Sequence, residues 1–191
     1  VVNTANVEAG SSVVVFGAGG VGLSAVQGAA MRSAGEVIVV DIVPEKLDVA
    51  REVGATHTID ASENDPVRRI RQLTGGVDYA FDVVGAPSVT EQALEVIGPT
   101  GTAVLVGIPP AGKRELEVDI HSLVTSEKSL QGSFNGSYNL SLAIPMLADL
   151  VEEGAISLNE LITGTKPLDE LNEAMEELES GTGIRQVILP R

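Results

Sequence analysis

A glycine-rich segment near the N-terminus has the residue types that a phosphate-binding loop needs. The segment Gly17–Gly22 (GAGGVG) directly follows the apolar run Val13–Phe16 and opens an alanine-rich stretch with helical periodicity. In this pattern Gly17 allows a sharp turn out of a strand, Gly19 lets a diphosphate approach the backbone, and Gly22 lets the helix pack closely on the strand. The free N–H groups and positive dipole end of the helix would face the phosphates.

An acidic residue stands where the second predicted strand ends. The run Val37–Val40 is followed by Asp41, 19 residues after Gly22. A carboxylate at this place can accept hydrogen bonds from both hydroxyls of an adenosine ribose. The competing interpretation is an acid that caps the next helix. With the strand, loop and helix in the right order, we predict a dinucleotide site. Its first ligands are Gly17, Gly19, Gly20, Val21, Gly22 and Asp41.

The surroundings of Asp41 favour NAD over NADP. The extra phosphate of NADP would lie against the carboxylate, and residues 42–44 supply no arginine to receive it. The nearest cation is Lys46, one helical turn further on. Methyltransferases use a similar glycine loop and an acid at the same strand end. The loop alone therefore leaves that alternative open.

Apolar β-branched runs alternate with helix-period stretches up to about residue 134. The predicted strands are Val13–Phe16, Val37–Val40, Thr56–Ile59, Val77–Val84, Thr102–Val106 and Ser129–Phe134. The predicted helices between them are Val21–Ser33, Pro44–Val53, Pro66–Leu73 and Ser88–Ile97. This alternation predicts an α/β fold, a doubly wound parallel sheet of the Rossmann type with strand order 3-2-1-4-5-6.

The pattern changes after Phe134. We predict a helix over Leu140–Glu153, a strand over Leu161–Lys166, an amphipathic helix over Leu168–Ser180 and a closing strand over Ile184–Leu189. We do not expect these elements to form another βαβ unit. A boundary is therefore placed near residue 133, with an NAD-binding domain over 1–133 and a C-terminal segment over 134–191.

The composition argues against several classes of binding partner. The net charge of −15 argues against nucleic acid and anionic membranes, and no apolar run approaches the roughly 18 residues of a membrane span. The chain has no cysteine, which excludes disulfides and thiolate metal sites within it. His57 and His121 lie far apart and are not expected to bind metal. We expect a cytoplasmic protein without a signal peptide.

Several segments together resemble the zinc-dependent alcohol dehydrogenases of the medium-chain dehydrogenase/reductase superfamily. The similarity runs along the whole chain and is more specific than the glycine loop. Its segments are VEAGS (7–11), the loop with its strand (13–23), Asp41, Lys46-Leu47, Ala50, GAT (54–56), GGVDYAFD (75–82), VGI (106–108), LIT (161–163), Pro167-Leu168, NEA (172–174) and Ile184-Arg185.

This resemblance implies cofactor contacts that the motif alone does not show. Lys46 would reach the adenosine ribose beside Asp41, and Arg185 would contact the pyrophosphate. The remaining contacts would line the groove or use the backbone around the nicotinamide: Val84, Gly85, Val106, Ile108, Ser133 and Phe134. The alternatives are core packing for the apolar members and a solvated side chain for Arg185.

The resemblance also implies what the chain lacks. In this family cysteines and a histidine of a preceding domain hold the catalytic zinc, and the last of these cysteines would fall just upstream of Val1. We therefore expect this chain to be the NAD-binding part of a longer enzyme. That enzyme would transfer hydride between an alcohol/aldehyde pair and NAD. Zinc would belong to the full-length parent only. The C-terminal segment would pack on the missing catalytic domain, and the chain alone would be inactive.

The predicted edge strand Ser129–Phe134 would pair with its twin in a homodimer, as the resemblance implies and as its free N–H and C=O groups favour. Two other functions remain open. A zinc-free quinone or enoyl reductase of the same superfamily is disfavoured by Asp41, because those enzymes usually use NADPH. A stand-alone nucleotide-binding module is disfavoured by the long tail, because it has no catalytic domain to contact.

Overall fold

The computed structural model describes residues 1–113, 115–181 and 183–190. Its main sheet has six parallel strands in the order β3-β2-β1-β4-β5-β6. The strands are β1 (Ser12–Phe16), β2 (Glu36–Asp41), β3 (His57–Asp60), β4 (Val77–Asp82), β5 (Ile97–Leu105) and β6 (Ser129–Gly132). The helices are α1 (Gly20–Met31), α2 (Pro44–Glu52), α3 (Pro66–Thr74), α4 (Pro87–Val96) and α5 (Ile120–Thr125). The predicted α/β class and strand order are confirmed.

The central strand β1 contributes to two separate cores. Val13 and Val15 pack in one apolar cluster with side chains of α1 and α2. Val14 and Phe16 pack in a second cluster with side chains of α3 and α4. Successive side chains of a strand point to opposite faces, so both faces of β1 are covered. This explains why β1 is an uninterrupted apolar run in the sequence.

Several boundaries differ from the sequence-based prediction, including the end of β4, which lies at Asp82 rather than at Val84. The last strand of the sheet ends at Gly132 rather than at Phe134. The fifth strand begins at Ile97, directly after α4, rather than at Thr102. Its pairing with β4 is irregular between Val77 and Tyr79, and this irregularity accommodates the stretch Gly98–Gly101.

The C-terminal part contains α6 (Leu140–Glu152), β7 (Gly164–Pro167), α7 (Leu171–Glu179) and β8 (Gln186–Leu189). Strands β7 and β8 pair in parallel, with α7 between them in the chain. This segment is a small βαβ unit, so the expectation that the tail forms none was wrong. Each strand has only four residues, and β7 (GTKP) is mostly polar, so it lacks the apolar run that marks a buried parallel strand.

The tail is attached to the main core through Leu161. This residue ends a turn of 3₁₀ helix over Asn159–Leu161, where the sequence had predicted the start of a strand. It is 1% exposed and belongs to the same apolar cluster as Val15 and Leu23. The domain boundary near residue 133 stays a prediction, and the tail beyond it contributes a side chain to the first core.

Candidate functional site

The candidate site lies at the carboxyl ends of β1 and β4, where the strand order of the sheet reverses. In open α/β sheets, crevices for ligands form at such a switch point. The loop Gly17–Gly22 leaves β1 here, and residues 83–85 leave β4 beside it. These two loops are in contact, because a Cβ atom added to Gly17 would lie 2.9 Å from Cγ2 of Val84.

The glycines of the loop fall into two groups. Gly17 has a φ of +102°, a conformation that side chains disfavour. A Cβ atom on Gly22 would lie 1.8 Å from the carbonyl oxygen of Gly17, so the packing of helix on loop excludes any side chain there. A Cβ atom on Gly19 would meet nothing within 4 Å. The protein itself therefore requires Gly17 and Gly22, whereas Gly19 borders open space.

The first turn of α1 leaves its N–H groups available. Gly19 is the N-cap residue and has no side chain to accept a bond from them, and no acidic residue lies in the first turn. Uncapped N–H groups and the positive dipole end favour an anion at this point. The site residues Gly20 and Val21 form this first turn, and the Val21 side chain is exposed.

The guanidinium group of Arg185 lies over the same helix end. A Cβ atom on Gly20 would be 3.1 Å from Nη2 of Arg185. Within the described residues, no carboxylate forms an ion pair with Arg185, although the acidic helix α7 precedes it. A guanidinium cation and the free N–H groups of α1 thus lie together at one place.

Asp41 lies at the end of β2, beside the loop. Its Oδ2 atom accepts a hydrogen bond of 2.6 Å from the N–H of Ala18. Its Oδ1 atom accepts bonds of 2.8 and 3.0 Å from the N–H groups of Ile42 and Val43. The N-cap of α2 is Val43, not Asp41. Lys46 is in the first turn of α2, and its ammonium forms no ion pair within the part of the chain described.

Sequence reasoning did not select Asp82 as a site residue, although it organises the loop after β4. The side chain is buried, and Asp82 is 1% exposed overall. Its Oδ1 atom accepts bonds of 2.9 Å from the N–H groups of both Val84 and Gly85. Its Oδ2 atom accepts a bond of 2.6 Å from the hydroxyl of Thr90. An acid that ends an apolar strand just before a glycine was the available signal.

The loops after β4 and β5 touch through Gly85 and Ile108. Gly85 has a φ of +81°, and a Cβ atom there would lie 2.7 Å from the carbonyl oxygen of Ile108. The N–H of Val106 donates to the carbonyl oxygen of Asp82 at 2.9 Å. Any backbone contact from Val106 to a ligand therefore has to use its carbonyl oxygen. The Ile108 side chain is 76% exposed at the rim.

Ser133 and Phe134 are neighbours in the chain, but their side chains have different surroundings. The Ser133 hydroxyl forms a 3.0 Å hydrogen bond with Thr4 Oγ1. Ser133 also borders an apolar cavity of about 610 Å³, with Val21 and Val106 among its other lining residues. Phe134 is 74% exposed. The structure thus brings Ser133 to the same cavity as the loop residue Val21, and leaves the Phe134 ring at the surface.

The sequence of these elements can be compared with known proteins. A family model described as "Zinc-binding dehydrogenase" matches residues 20–153. The chain belongs to the zinc-binding dehydrogenase family. The earlier resemblance to zinc-dependent alcohol dehydrogenases is thereby confirmed.

Individual relatives agree with this assignment. S-(hydroxymethyl)glutathione dehydrogenase of Synechocystis is 37% identical over 97% of this chain and 51% of its own length. NDMA-dependent alcohol dehydrogenase of Amycolatopsis methanolica is 38% identical over 96% of this chain and 50% of its own. The chain spans about half the length of these curated relatives.

A solved structure shows the same architecture. The crystal structure of an alcohol dehydrogenase zinc-binding domain protein from Burkholderia ambifaria superposes with a TM-score of 0.94 at 38% identity. The match covers 100% of this chain and 52% of that one. The fold of this chain therefore corresponds to about half of a longer dehydrogenase.

The possible metal ligands among the described residues do not lie together. His57 begins β3 and His121 lies in α5, on two different elements. Among the described residues, no group of three or more histidine, aspartate and glutamate side chains could hold a metal ion, and the sequence has no cysteine. None of the helices described is long and apolar enough to cross a membrane.

Proposed function

We propose that this chain is the NAD-binding part of an alcohol dehydrogenase. One observation supports this most directly: Asp41 contacts the loop at Ala18, Arg185 lies over Gly20, and the residue between them in the chain, Gly19, borders open space. On one side, the N–H groups of α1 and the positive charge of Arg185 can bind an anion. On the other side, the Asp41 carboxylate can accept hydrogen bonds from a ribose. The relatives described above, an S-(hydroxymethyl)glutathione dehydrogenase and an alcohol dehydrogenase, point to the same chemistry.

Different groups of the site would contact different parts of the dinucleotide. The diphosphate would lie against the first turn of α1 and the Arg185 guanidinium. The adenosine ribose would lie against Asp41, with Lys46 beside it. The nicotinamide would follow the groove formed by the loops after β4 and β5. Its contacts there would come from Val84, Gly85, Val106 and Ile108, with Ser133 and Phe134 further along.

The residues that the structure describes form no zinc site, so we assign the catalytic zinc to the part of a longer protein that this chain does not contain. NAD supplies the hydride acceptor, and the chain orients its ring. Exposed apolar side chains of α6 support a covering partner, because Leu142 and Ile144 expose 66% and 63% of their surface. By itself the chain would bind NAD and oxidise no alcohol.

We also propose a homodimer through β6. This strand is at one edge of the sheet, and all four of its residues are exposed. An unpaired edge offers a row of N–H and C=O groups to a second strand. The preceding helix α5 exposes Ile120 and Val124 by 70% and 68%, which would be covered in such a pair. Light scattering at rising protein concentration tests this, and a monomer throughout contradicts it.

Cofactor binding can be measured directly on the 191-residue chain. The chain contains no tryptophan, so the fluorescence of bound NADH can be followed without an indole background. We expect saturable NADH binding with one site per chain, and NADPH binding at least about tenfold weaker. Absence of binding at millimolar NADH would contradict the proposal, and tighter NADPH binding would contradict its choice of cofactor.

An activity assay tests whether this chain differs from the whole enzyme in catalysis. The purified chain is assayed with NAD and a panel of primary, secondary and aryl alcohols, with and without added zinc. We expect no turnover above the blank. A longer protein that carries the missing half should oxidise one of these alcohols, and a chelator should abolish that activity. Turnover by the 191-residue chain alone would contradict the proposal that this chain binds NAD and another part of the enzyme holds the catalytic zinc.

A further inference from the structure

The tail reaches the candidate site through two fixed points. Leu161 is buried in the core of the main sheet. Gln27 of α1 forms a pair of hydrogen bonds with the backbone of Ser157, of 2.9 Å to its carbonyl oxygen and 2.6 Å from its N–H. Gln27 is itself buried. The chain segment that leads to Thr163 is therefore held against α1, whose N-terminus forms the anion site.

Thr163 is hydrogen-bonded to the backbone of Arg185 on both sides. Its N–H donates to the Arg185 carbonyl oxygen at 2.9 Å, and its hydroxyl donates to the same oxygen at 3.1 Å. The hydroxyl oxygen also accepts bonds from the N–H groups of Ile184 and Arg185, at 3.0 and 3.2 Å. One exposed threonine thus fixes the position and direction of the backbone that carries the Arg185 side chain.

The Arg185 guanidinium is the group that this backbone places over the first turn of α1, as the short approach to Gly20 shows. An arginine side chain loses much rotational freedom when it binds a ligand. If its backbone is fixed beforehand, no backbone freedom has to be lost in addition, so the bound state is favoured. A hydroxyl that holds the backbone can therefore change anion affinity without touching the anion.

We propose that Thr163 is a positioning residue for the diphosphate of the dinucleotide, acting through Arg185. The inference rests on the proposed NAD-binding function and adds a residue to it. Its hydroxyl fixes the backbone at residues 184–185, and the Arg185 guanidinium then meets the phosphates together with the N–H groups of α1. Thr163 does not touch the cofactor.

The test is NADH affinity in a set of variants of the 191-residue chain. Thr163→Val keeps the shape of the side chain and removes the hydroxyl. We expect its Kd for NADH to rise about three- to tenfold, and Thr163→Ser to restore most of the affinity. Thr165→Val, an exposed threonine in β7, is the matched control and should leave the Kd unchanged.

Two further measurements separate positioning from a general structural effect. In an Arg185→Ala background, Thr163→Val should change the Kd by less than about 1.5-fold, because contacts in one network are not additive. The slope of log Kd against log salt concentration should fall in both Arg185→Ala and Thr163→Val, since both weaken a charge contact with phosphate. A purely structural role would leave that slope unchanged.

The outcomes distinguish this inference from the proposed function. If the wild-type chain does not bind NADH, the proposed function fails. If Arg185→Ala weakens NADH binding and Thr163→Val does not, the function stands and the role of Thr163 is wrong. An equal effect of Thr163→Val with and without Arg185 also overturns it. Should Thr163→Val not fold, Thr163→Ala replaces it, and failure of both to fold overturns the positioning role.

Discussion

The Asp41 carboxylate joins the end of β2 to the glycine loop through a 2.6 Å hydrogen bond from the N–H of Ala18 to its Oδ2 atom. The same side chain accepts two bonds from its own turn through Oδ1. The residue that would read the ribose therefore also holds the loop in place. Its replacement changes both the shape of the site and its charge.

Replacement of Asp41 by asparagine should reduce the preference for NADH over NADPH. The amide nitrogen of the new side chain would face an N–H donor, either that of Ala18 or those of the turn, and the negative charge that opposes an extra phosphate is lost. We expect the Kd for NADH to rise about tenfold and the Kd for NADPH to change less. Calorimetric titration with both cofactors measures this.

A suitable control is Asp48→Asn, which removes an exposed acid of α2 that pairs with Arg51. Exposed pairs contribute little to stability, and this one lies outside the candidate site. The control should bind both cofactors as the wild type does. If Asp41→Asn leaves the ratio of the two Kd values unchanged, Asp41 does not determine cofactor choice.

Two glycine substitutions should separate binding from stability. In Gly19→Ala the new methyl group meets no protein atom within 4 Å and points into open space. We expect a melting temperature close to that of the wild type, and NADH binding weakened about tenfold because the methyl occupies the path of the phosphates. Thermal unfolding and NADH titration together check this, and unchanged NADH affinity would contradict the placement of the diphosphate.

Gly22→Ala should behave in the opposite way. Its methyl group would lie 1.8 Å from the carbonyl oxygen of Gly17, which forces helix and loop apart. Such overpacking typically costs about 1–3 kcal/mol of the free energy of unfolding, or more. Urea unfolding measures the loss. A stability equal to that of Gly19→Ala would show that the contact between Gly22 and Gly17 is relieved at no cost.

Thr90→Val should destabilise the chain through Asp82. The valine keeps the shape of threonine but withdraws the 2.6 Å hydrogen bond from a buried carboxylate. Loss of a bond to a buried charged group costs about 1.5–3 kcal/mol. Thr102→Val in β5 is the control, because valine suits a strand. Equal urea midpoints for the two variants would show that Thr90 does not stabilise Asp82.

The tail unit should show a pH dependence that involves Lys166. A hydrogen bond to Glu177 raises the pKa of the Lys166 ammonium above its ordinary value. A raised pKa means that the stabilisation is complete below the unfolded-state pKa, and is lost as the pH rises through the folded-state pKa. The gap in melting temperature between wild type and Lys166→Met should be constant from about pH 6, where Glu177 carries its charge, to about pH 10, and shrink above it.

Lys113→Met is the control for this measurement, because Lys113 lies exposed in the loop before α5. Its melting temperature should follow that of the wild type at every pH. A gap for Lys166→Met that widens above the ordinary lysine pKa would contradict the sign of the pKa shift. The pair of variants thus tests whether the contact of β7 with α7 depends on the charge of Lys166.

Local pattern was sufficient for the main sheet. Strands buried on both faces are uninterrupted apolar runs, as in β1, and this signal does not depend on distant parts of the chain. The glycine spacing and the acid at the end of β2 were equally local. The irregular start of β5 was missed, because Gly98–Gly101 has turn residues and Thr100 has a φ of +61°. Only the pairing of Ile97 with Val77, before this stretch, shows that the strand begins there.

The tail was predicted less well, because its own residues carry little of this local signal. The four-residue strands of the tail carry little periodicity, and their parallel pairing depends on how α7 packs rather than on their own residues. Asp82 was passed over because an acid at a strand end is common. Its importance follows from burial and from three hydrogen bonds that only the folded chain assembles.

The sequence by itself determined the fold class, the glycine loop and the carboxylate beside it, because each depends on residues close together in the chain. The resemblance implied that Arg185 contacts the pyrophosphate, and the tertiary structure placed its guanidinium over Gly20. Only the tertiary structure decided that Leu161 enters the main core and that Thr163 fixes the arginine backbone. These contacts join segments far apart in the chain. They arise when apolar faces pack, and no local propensity encodes which polar groups that packing will bring together.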